Sequence, residues 1–175
     1  TASTAPAAPT LAVVDNADGT ATATITGADS DATVTIYSQS VDGQLGSIVL
    51  NRPQAINALN RGMIDSIAQT LEAWRDDPQI RALLFTGKGR GFCSGGDVRA
   101  VRTMVLEGRE AEADAYFAAE YAMNGLIANY RKPVVALSDG IVMGGGIGIA
   151  GHAGFRLTTP SARFAMPEAA IGFVS

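Results

Sequence analysis

The stretch Gly140 to Gly151 reads Gly-Ile-Val-Met-Gly-Gly-Gly-Ile-Gly-Ile-Ala-Gly and directly follows an apolar strand candidate, Val134 to Leu137. It constrains the fold more than any other segment. Glycine has no Cβ, so Gly144 to Gly146 leave their backbone N–H groups open to close approach. The apolar run that follows predicts a helix starting there, and the first N–H groups of a helix have no partner within it. Such a start favours negative charge, whether standing, as on a phosphate, or transient, as on a carbonyl oxygen during acyl transfer. The competing reading is tight packing of a helix on a sheet. A second glycine-rich turn, Gly87-Lys88-Gly89-Arg90-Gly91, weighs against packing alone.

The rest of the composition sets the frame. A chain of 175 residues with 47% hydrophobic and 17% charged residues is globular, and one core is the default at this length. No apolar run approaches the ~20 residues of a membrane helix. Charge is uneven: Asp15, Asp18, Asp29, Asp31 and Asp42 lie before the first basic residue, Arg52, and all 13 basic residues follow from there. A net charge of −4 without a basic cluster argues against a nucleic-acid partner. The lone Cys93 forms no internal disulfide, and the start of the chain lacks the pattern of a signal peptide, so a cytoplasmic setting is expected.

Thr1 to Pro9 reads as a flexible lead-in. Leu11, Val13, Ala21, Ala23 and Ile25 alternate around Asn16-Ala17-Asp18-Gly19, a hairpin pattern, and Val34 to Tyr37 supplies a further strand. Residues 9–38 resemble the first strands of a bacterial immunoglobulin-like module, too few to close one. Another strand runs to Leu50 after the turn Val41-Asp42-Gly43-Gln44. Met63, Ile67, Leu71 and Trp74 predict a helix over 63–75, stopped by Asp76-Asp77-Pro78. Ala82 to Thr86 reads as a buried strand and Glu110 to Tyr130 as a helix. Strand and helix alternate, an α/β layout. We divide the chain into a strand-forming Ala/Thr-rich extension, 1–33, and a main domain, 34–175.

Tyr116, Glu120, Met123 and Ile127 share one helix face by their spacing, which puts a carboxylate in an apolar stripe. It is either at the stripe's edge, solvated, or buried with a raised pKa suited to hydrogen bonding a substrate hydroxyl. Most constellations fail. The only histidine, His152, allows neither a Ser-His-Asp nor a Cys-His set, and no metal cluster is visible. Phe92 stands where a nucleophile elbow at Ser94 needs glycine. Cys93 reads as a small buried thiol. Gly146, Gly148 and Gly151 match the dinucleotide pattern G-x-G-x-x-G, a weak signal. What remains is two donor turns, Phe92 to Asp97 and Gly144 to Gly146, with Glu168 after Pro167. Two N–H donors converging on one carbonyl, with a carboxylate as base or nucleophile, make a workable acyl-transfer site. The alternative for Glu168 is a carboxylate placed at a helix start by the helix dipole.

Four motifs in order carry a resemblance. Leu50-Asn51-Arg52-Pro53 with Ile56-Asn57-Ala58-Leu59, Gly91-Phe92-Cys93-Ser94-Gly95-Gly96-Asp97, Asp139-Gly140-Ile141-Val142-Met143-Gly144-Gly145-Gly146, and Arg163-Phe164-Ala165-Met166-Pro167-Glu168 with Gly172-Phe173 resemble the crotonase (enoyl-CoA hydratase/isomerase) superfamily. The wording Phe-Cys-Ser-Gly-Gly-Asp, Glu120-Tyr121, and Gly148 where hydratases carry a glutamate look most like its 3-hydroxyisobutyryl-CoA hydrolases, enzymes of valine catabolism. The resemblance implies the N-terminal part of a spiral of ββα units, preceded by the extension. It implies that Ser94 and Gly145 N–H groups form an oxyanion hole and that Glu168 attacks the thioester or activates water. Glu120 would contact substrate, and Arg52, Ala55 and Asn57 with Gly95, Gly96 and Asp97 would lie along an acyl-CoA. No cofactor or metal is implied beyond CoA as part of the substrate. The family's second catalytic aspartate would fall at position 176, and its C-terminal half is absent. A monomeric chain of this length is therefore expected to be poorly active and to associate with a second copy or with that half. Alternatives are hydration or isomerisation of an enoyl-CoA, a nicotinamide-dependent oxidoreductase, and a non-catalytic binding or structural module.

Overall fold

The structure, a computed structural model, describes residues 10–15, 21–26, 33–39 and 44–171. The lead-in, the turns at 16–19 and 41–43, and Gly172-Phe173 lie outside the described residues. Among the described residues ten strands and four α-helices follow one another: β1 (Thr10–Asp15), β2 (Ala21–Thr26), β3 (Thr33–Gln39), β4 (Leu45–Asn51), α1 (Arg61–Arg75), β5 (Ala82–Gly87), β6 (Gly91–Cys93), α2 (Val98–Leu106), α3 (Glu110–Ala128), β7 (Val134–Ser138), β8 (Ile141–Met143), α4 (Gly145–His152), β9 (Phe155–Thr158) and β10 (Arg163–Ala165).

Seven strands form one sheet in the order β1-β2-β3-β4-β5-β7-β9, and β10-β8-β6 form a second. The first four pair antiparallel. From β4 onward every pairing is parallel, because each step crosses over through helix or loop. The strands read as an extension therefore continue the edge of the main sheet. The second sheet, also parallel, consists of three-residue strands too short to carry a periodicity.

The periodicity predicted for α1 is present, and the helix starts two residues earlier than expected because Asn60 caps it, its Oδ1 accepting from Met63 N at 2.9 Å. Met63, Ile64, Ile67 and Leu71 are buried in one core cluster with Ile48 and Leu50 of β4, Leu83 and Phe85 of β5, and Val134 and Ala136 of β7. Each such side chain contributes roughly 1.5–3 kcal/mol by leaving water. The strands alternate rather than bury both faces, so β5, read as wholly buried, is buried at Leu83 and Phe85 only. α3 ends at Ala128 with Asn129 as its cap, two residues short of the expected end. The sequence reading missed α2; its signal was Asp97, whose side chain caps the helix by accepting from Ala100 N at 3.2 Å.

The last two strands leave apolar side chains uncovered. Phe155 and Leu157 on β9, Phe164 on β10 and Met166 are all more than half exposed.

Candidate functional site

The two glycine turns meet. The turn after β6 is pinned by a parallel bridge to Leu59: Leu59 N donates to Gly95 O, and Asp97 N donates to Leu59 O, both at 2.8 Å. In that pattern the N–H of the bridged residue, Gly96, points to the other side, and it has no partner among the described residues. The Gly145 N–H, first in α4, is likewise without one. Gly95 has φ +108, and a Cβ there would lie 3.2 Å from Met143 O and 3.5 Å from Gly145 N. That φ favours glycine, and the approach to Met143 O is tighter than most side chains meet.

This corrects the donor assigned to the first turn. The Ser94 N–H donates to Ile56 O at 2.9 Å and its Oγ to Ala55 O at 3.1 Å, so Ser94 ties two turns together and its N–H is already used. The free N–H on this turn belongs to Gly96.

Two carboxylates flank the meeting point. Glu120 lies in the buried face of α3, so of the two readings left open for it, the buried one holds. A Cβ on Gly145 would collide with its Oε1, and one on Gly96 would come within 3.5 Å of its Oε2. Burial first, and then the charge of Glu168, raise its pKa above the ordinary carboxylate value. Glu168 opens a short 3-10 turn, Glu168–Ile171, and approaches from the far side, where a Cβ on Gly144 would sit 2.8 Å from its Oε1. Its Oε2 is buried without a hydrogen-bond partner. Gly148, one turn along α4, faces the side chain of Asn124, whose Nδ2 would be 2.7 Å from a Cβ at that glycine.

The other residues placed at the site by sequence divide in two. Arg52 and Asp97 form an ion pair at 2.6 Å, and the guanidinium also donates to Ala58 O at 3.1 Å. Ala55, partly exposed at the end of the 3-10 turn Pro53–Ala55, stands beside them. Asn57 is different and needs correction as a side-chain contact to substrate. It is wholly buried; its Oδ1 accepts from Arg52 N at 2.8 Å, and its Nδ2 faces the carbonyls of Lys88, Gly91 and Phe92 at 3.0, 2.9 and 3.1 Å. It holds the two turns in place from behind.

Sequence reasoning missed Tyr116 as a part of this support. Its hydroxyl donates to Leu59 O at 2.7 Å and accepts from Asp97 N at 3.1 Å, which fixes the bridge that frees Gly96, and burial pushes its pKa up. The apolar stripe named it without showing what its hydroxyl reaches. Cys93 is buried, and burial, only partly offset by the N–H of Gly95, pushes its thiol up to about 12, which makes it inert at neutral pH. Gly146, Gly148 and Gly151 all lie inside α4, so the dinucleotide pattern is not the strand-to-helix turn that cofactor binding requires.

The geometry offers two unpartnered N–H groups, a carboxylate whose pKa burial raises and a second carboxylate, around backbone without side chains. Comparison with known proteins places the chain in a family. The family profile described as enoyl-CoA hydratase/isomerase matches residues 45–175. The chain belongs to the enoyl-CoA hydratase/isomerase family, with the crotonase fold. It is 47% identical over 131 residues to 3-hydroxyisobutyryl-CoA hydrolase, mitochondrial, of Xenopus tropicalis, which spans 74% of this chain and 34% of that protein. It is 44% identical over 124 residues to small ribosomal subunit protein mS47 of Schizosaccharomyces pombe, covering 71% of this chain and 29% of that one. Among solved structures, a carnitinyl-CoA dehydratase from Mycobacterium thermoresistibile superposes with a TM-score of 0.73 at 44% identity, covering 83% of this chain and 42% of that chain. The chain thus spans about a third of the length of the curated relatives it matches.

Proposed function

We propose that this chain carries the thioester-cleaving core of a 3-hydroxyacyl-CoA hydrolase. Sequence similarity does not choose between an enzyme and a ribosomal component, since both kinds of name occur among the relatives at similar identity. The observation that carries the proposal is the pair of unpartnered N–H groups, Gly96 and Gly145, beside the buried, unpartnered Oε2 of Glu168. A thioester carbonyl between those donors would gain stabilisation as its oxygen becomes charged, about 3 kcal/mol or more per donor. Glu168 either adds to the carbonyl carbon, expelling CoA thiolate and leaving an anhydride for water to open, or takes a proton from the water that adds. Gly148 presents no carboxylate for adding water across a double bond. Arg52, Ala55 and Asp97 border the path assigned to the CoA, and the site calls for no cofactor besides it. The chain is proposed to work with a second copy or a longer polypeptide covering Phe155, Leu157 and Phe164. No helix among the described residues is long and apolar enough to cross a membrane. The compartment suits a cytoplasmic or a mitochondrial setting, the second being named for the frog and chicken relatives.

Release of CoA thiol from 3-hydroxyisobutyryl-CoA tests this. Glu168→Gln is expected to lower turnover on the order of 100-fold or more while CoA still binds. Unchanged turnover in that variant rejects the assignment. A second reading, hydration of an enoyl-CoA, draws on the two facing carboxylates, Glu120 and Glu168. Faster water addition to crotonyl-CoA than thioester cleavage selects it.

A further inference from the structure

We infer that Asn124 is the residue that reads the hydroxyl of the acyl group, an inference that rests on the hydrolase reading above. Asn124 is 7% exposed, in the buried face of α3 one turn after Glu120. Its Oδ1 is fully buried without a hydrogen-bond partner, and its Nδ2 has no acceptor among the described residues. A buried amide left unpaired costs roughly 1–3 kcal/mol, so a fold that retains one has a use for it or fills it from outside. Both ends are open. One acts only as acceptor and the other only as donor, and a hydroxyl is the small group that satisfies both, donating to Oδ1 and accepting from Nδ2.

The position of the amide fits that use. Its Nδ2, Cγ and Oδ1 would lie 2.7, 3.2 and 3.2 Å from a Cβ on Gly148, so Asn124 occupies the volume that a side chain at 148 would fill. Gly145, the oxyanion donor, precedes Gly148 by three residues on α4, about 4.5 Å along the axis. An acyl chain whose carbonyl sits at Gly145 and runs along α4 brings the substituent on its third carbon to Asn124. Glu120, one turn back on α3, lies against Gly145 itself. The absence of a side chain at 148 and the presence of an amide at 124 are one feature: the space left open on α4 is filled by a polar group from α3.

The test measures binding by titration calorimetry with the full chain, using CoA ketone analogues in which a methylene separates sulfur from the carbonyl, one with the 3-hydroxyl and one without. Wild type is expected to prefer the hydroxy analogue roughly 10- to 100-fold. Asn124→Leu, with the same number and branching of heavy side-chain atoms, is expected to bring that ratio near one, and Asn124→Asp, which keeps the acceptor, to fall between. A wild-type ratio near one overturns the inference, as does a ratio that survives in Asn124→Leu. Equal slowing of thioester cleavage for both acyl groups, with the binding ratio intact, also overturns it by assigning the amide to the attacking water. If CoA and both analogues fail to bind, the hydrolase reading itself falls and takes this inference with it.

Discussion

The two turns that meet at the site are held by opposite means. The turn from Gly91 to Asp97 is held by side chains: Asn57 behind it, Tyr116 on the Leu59 bridge, and Arg52 on Asp97. The turn from Gly144 to Gly148 is held by what is missing, since each glycine there lets another group approach closer than a Cβ permits. The difference teaches where each will fail. The first loses stability when a polar partner is removed, and the second loses function when an atom is added.

Gly145→Ala is the sharpest way to break this contrast. Its new methyl collides with Glu120 Oε1 and shifts the donor from its place, so turnover of an acyl-CoA should fall about 100-fold or more with little change in unfolding midpoint. A large loss of stability with activity kept would reverse the assignment. Asn57→Ala is the counterpart. It removes the donor to three carbonyls and the acceptor for Arg52 N, which should lower stability by about 3 kcal/mol, read by urea denaturation.

Much of this contrast was legible beforehand, and the limits are specific. The spacing of Met63, Ile67 and Leu71, and of Tyr116, Glu120 and Met123, named the buried faces of α1 and α3 because helical periodicity is local. The glycines named both turns. Which N–H is free on the first turn was not legible, because it is decided by pairing with Leu59, brought in from another part of the chain. Asn57 was read as facing substrate for the same reason: its partners at Lys88, Gly91 and Phe92 are distant in sequence. The helix α2 and the three-residue strands were too short for a period to show.

Glu120→Gln sharpens the comparison by pH. The carboxyl of Glu120 has a folded-state pKa raised above its ordinary 4.5, so the folded state holds this proton more tightly than the unfolded chain. Its contribution is fully present below the ordinary value and is lost as pH rises through the raised one. The Gln variant should therefore be more stable than wild type at pH 7 and no more stable at pH 3, measured by thermal unfolding at both. The smallest effect is a control. Gly125 lies in α3, where a Cβ meets nothing within 4 Å, so Gly125→Ala should leave turnover unchanged and stabilise by about 0.8–1 kcal/mol. Damage from that substitution would show that glycines in this chain are not divided as described.

Ile56 and Asn57 take up φ of 50 and 55, a left-handed pair without glycine. A branched residue rarely adopts this shape, at a cost of about 1 kcal/mol or more. Yet Ile56 is where the Ser94 N–H is received, and its Cγ2 would lie 2.8 Å from a Cβ on Gly91. The turn thus behaves as a loaded spring clamped by Asn57. An engineer has here an adjuster for the unpartnered N–H groups that never touches them: relaxing Ile56 to Gly slackens the spring, and the aim of Gly96 drifts with it.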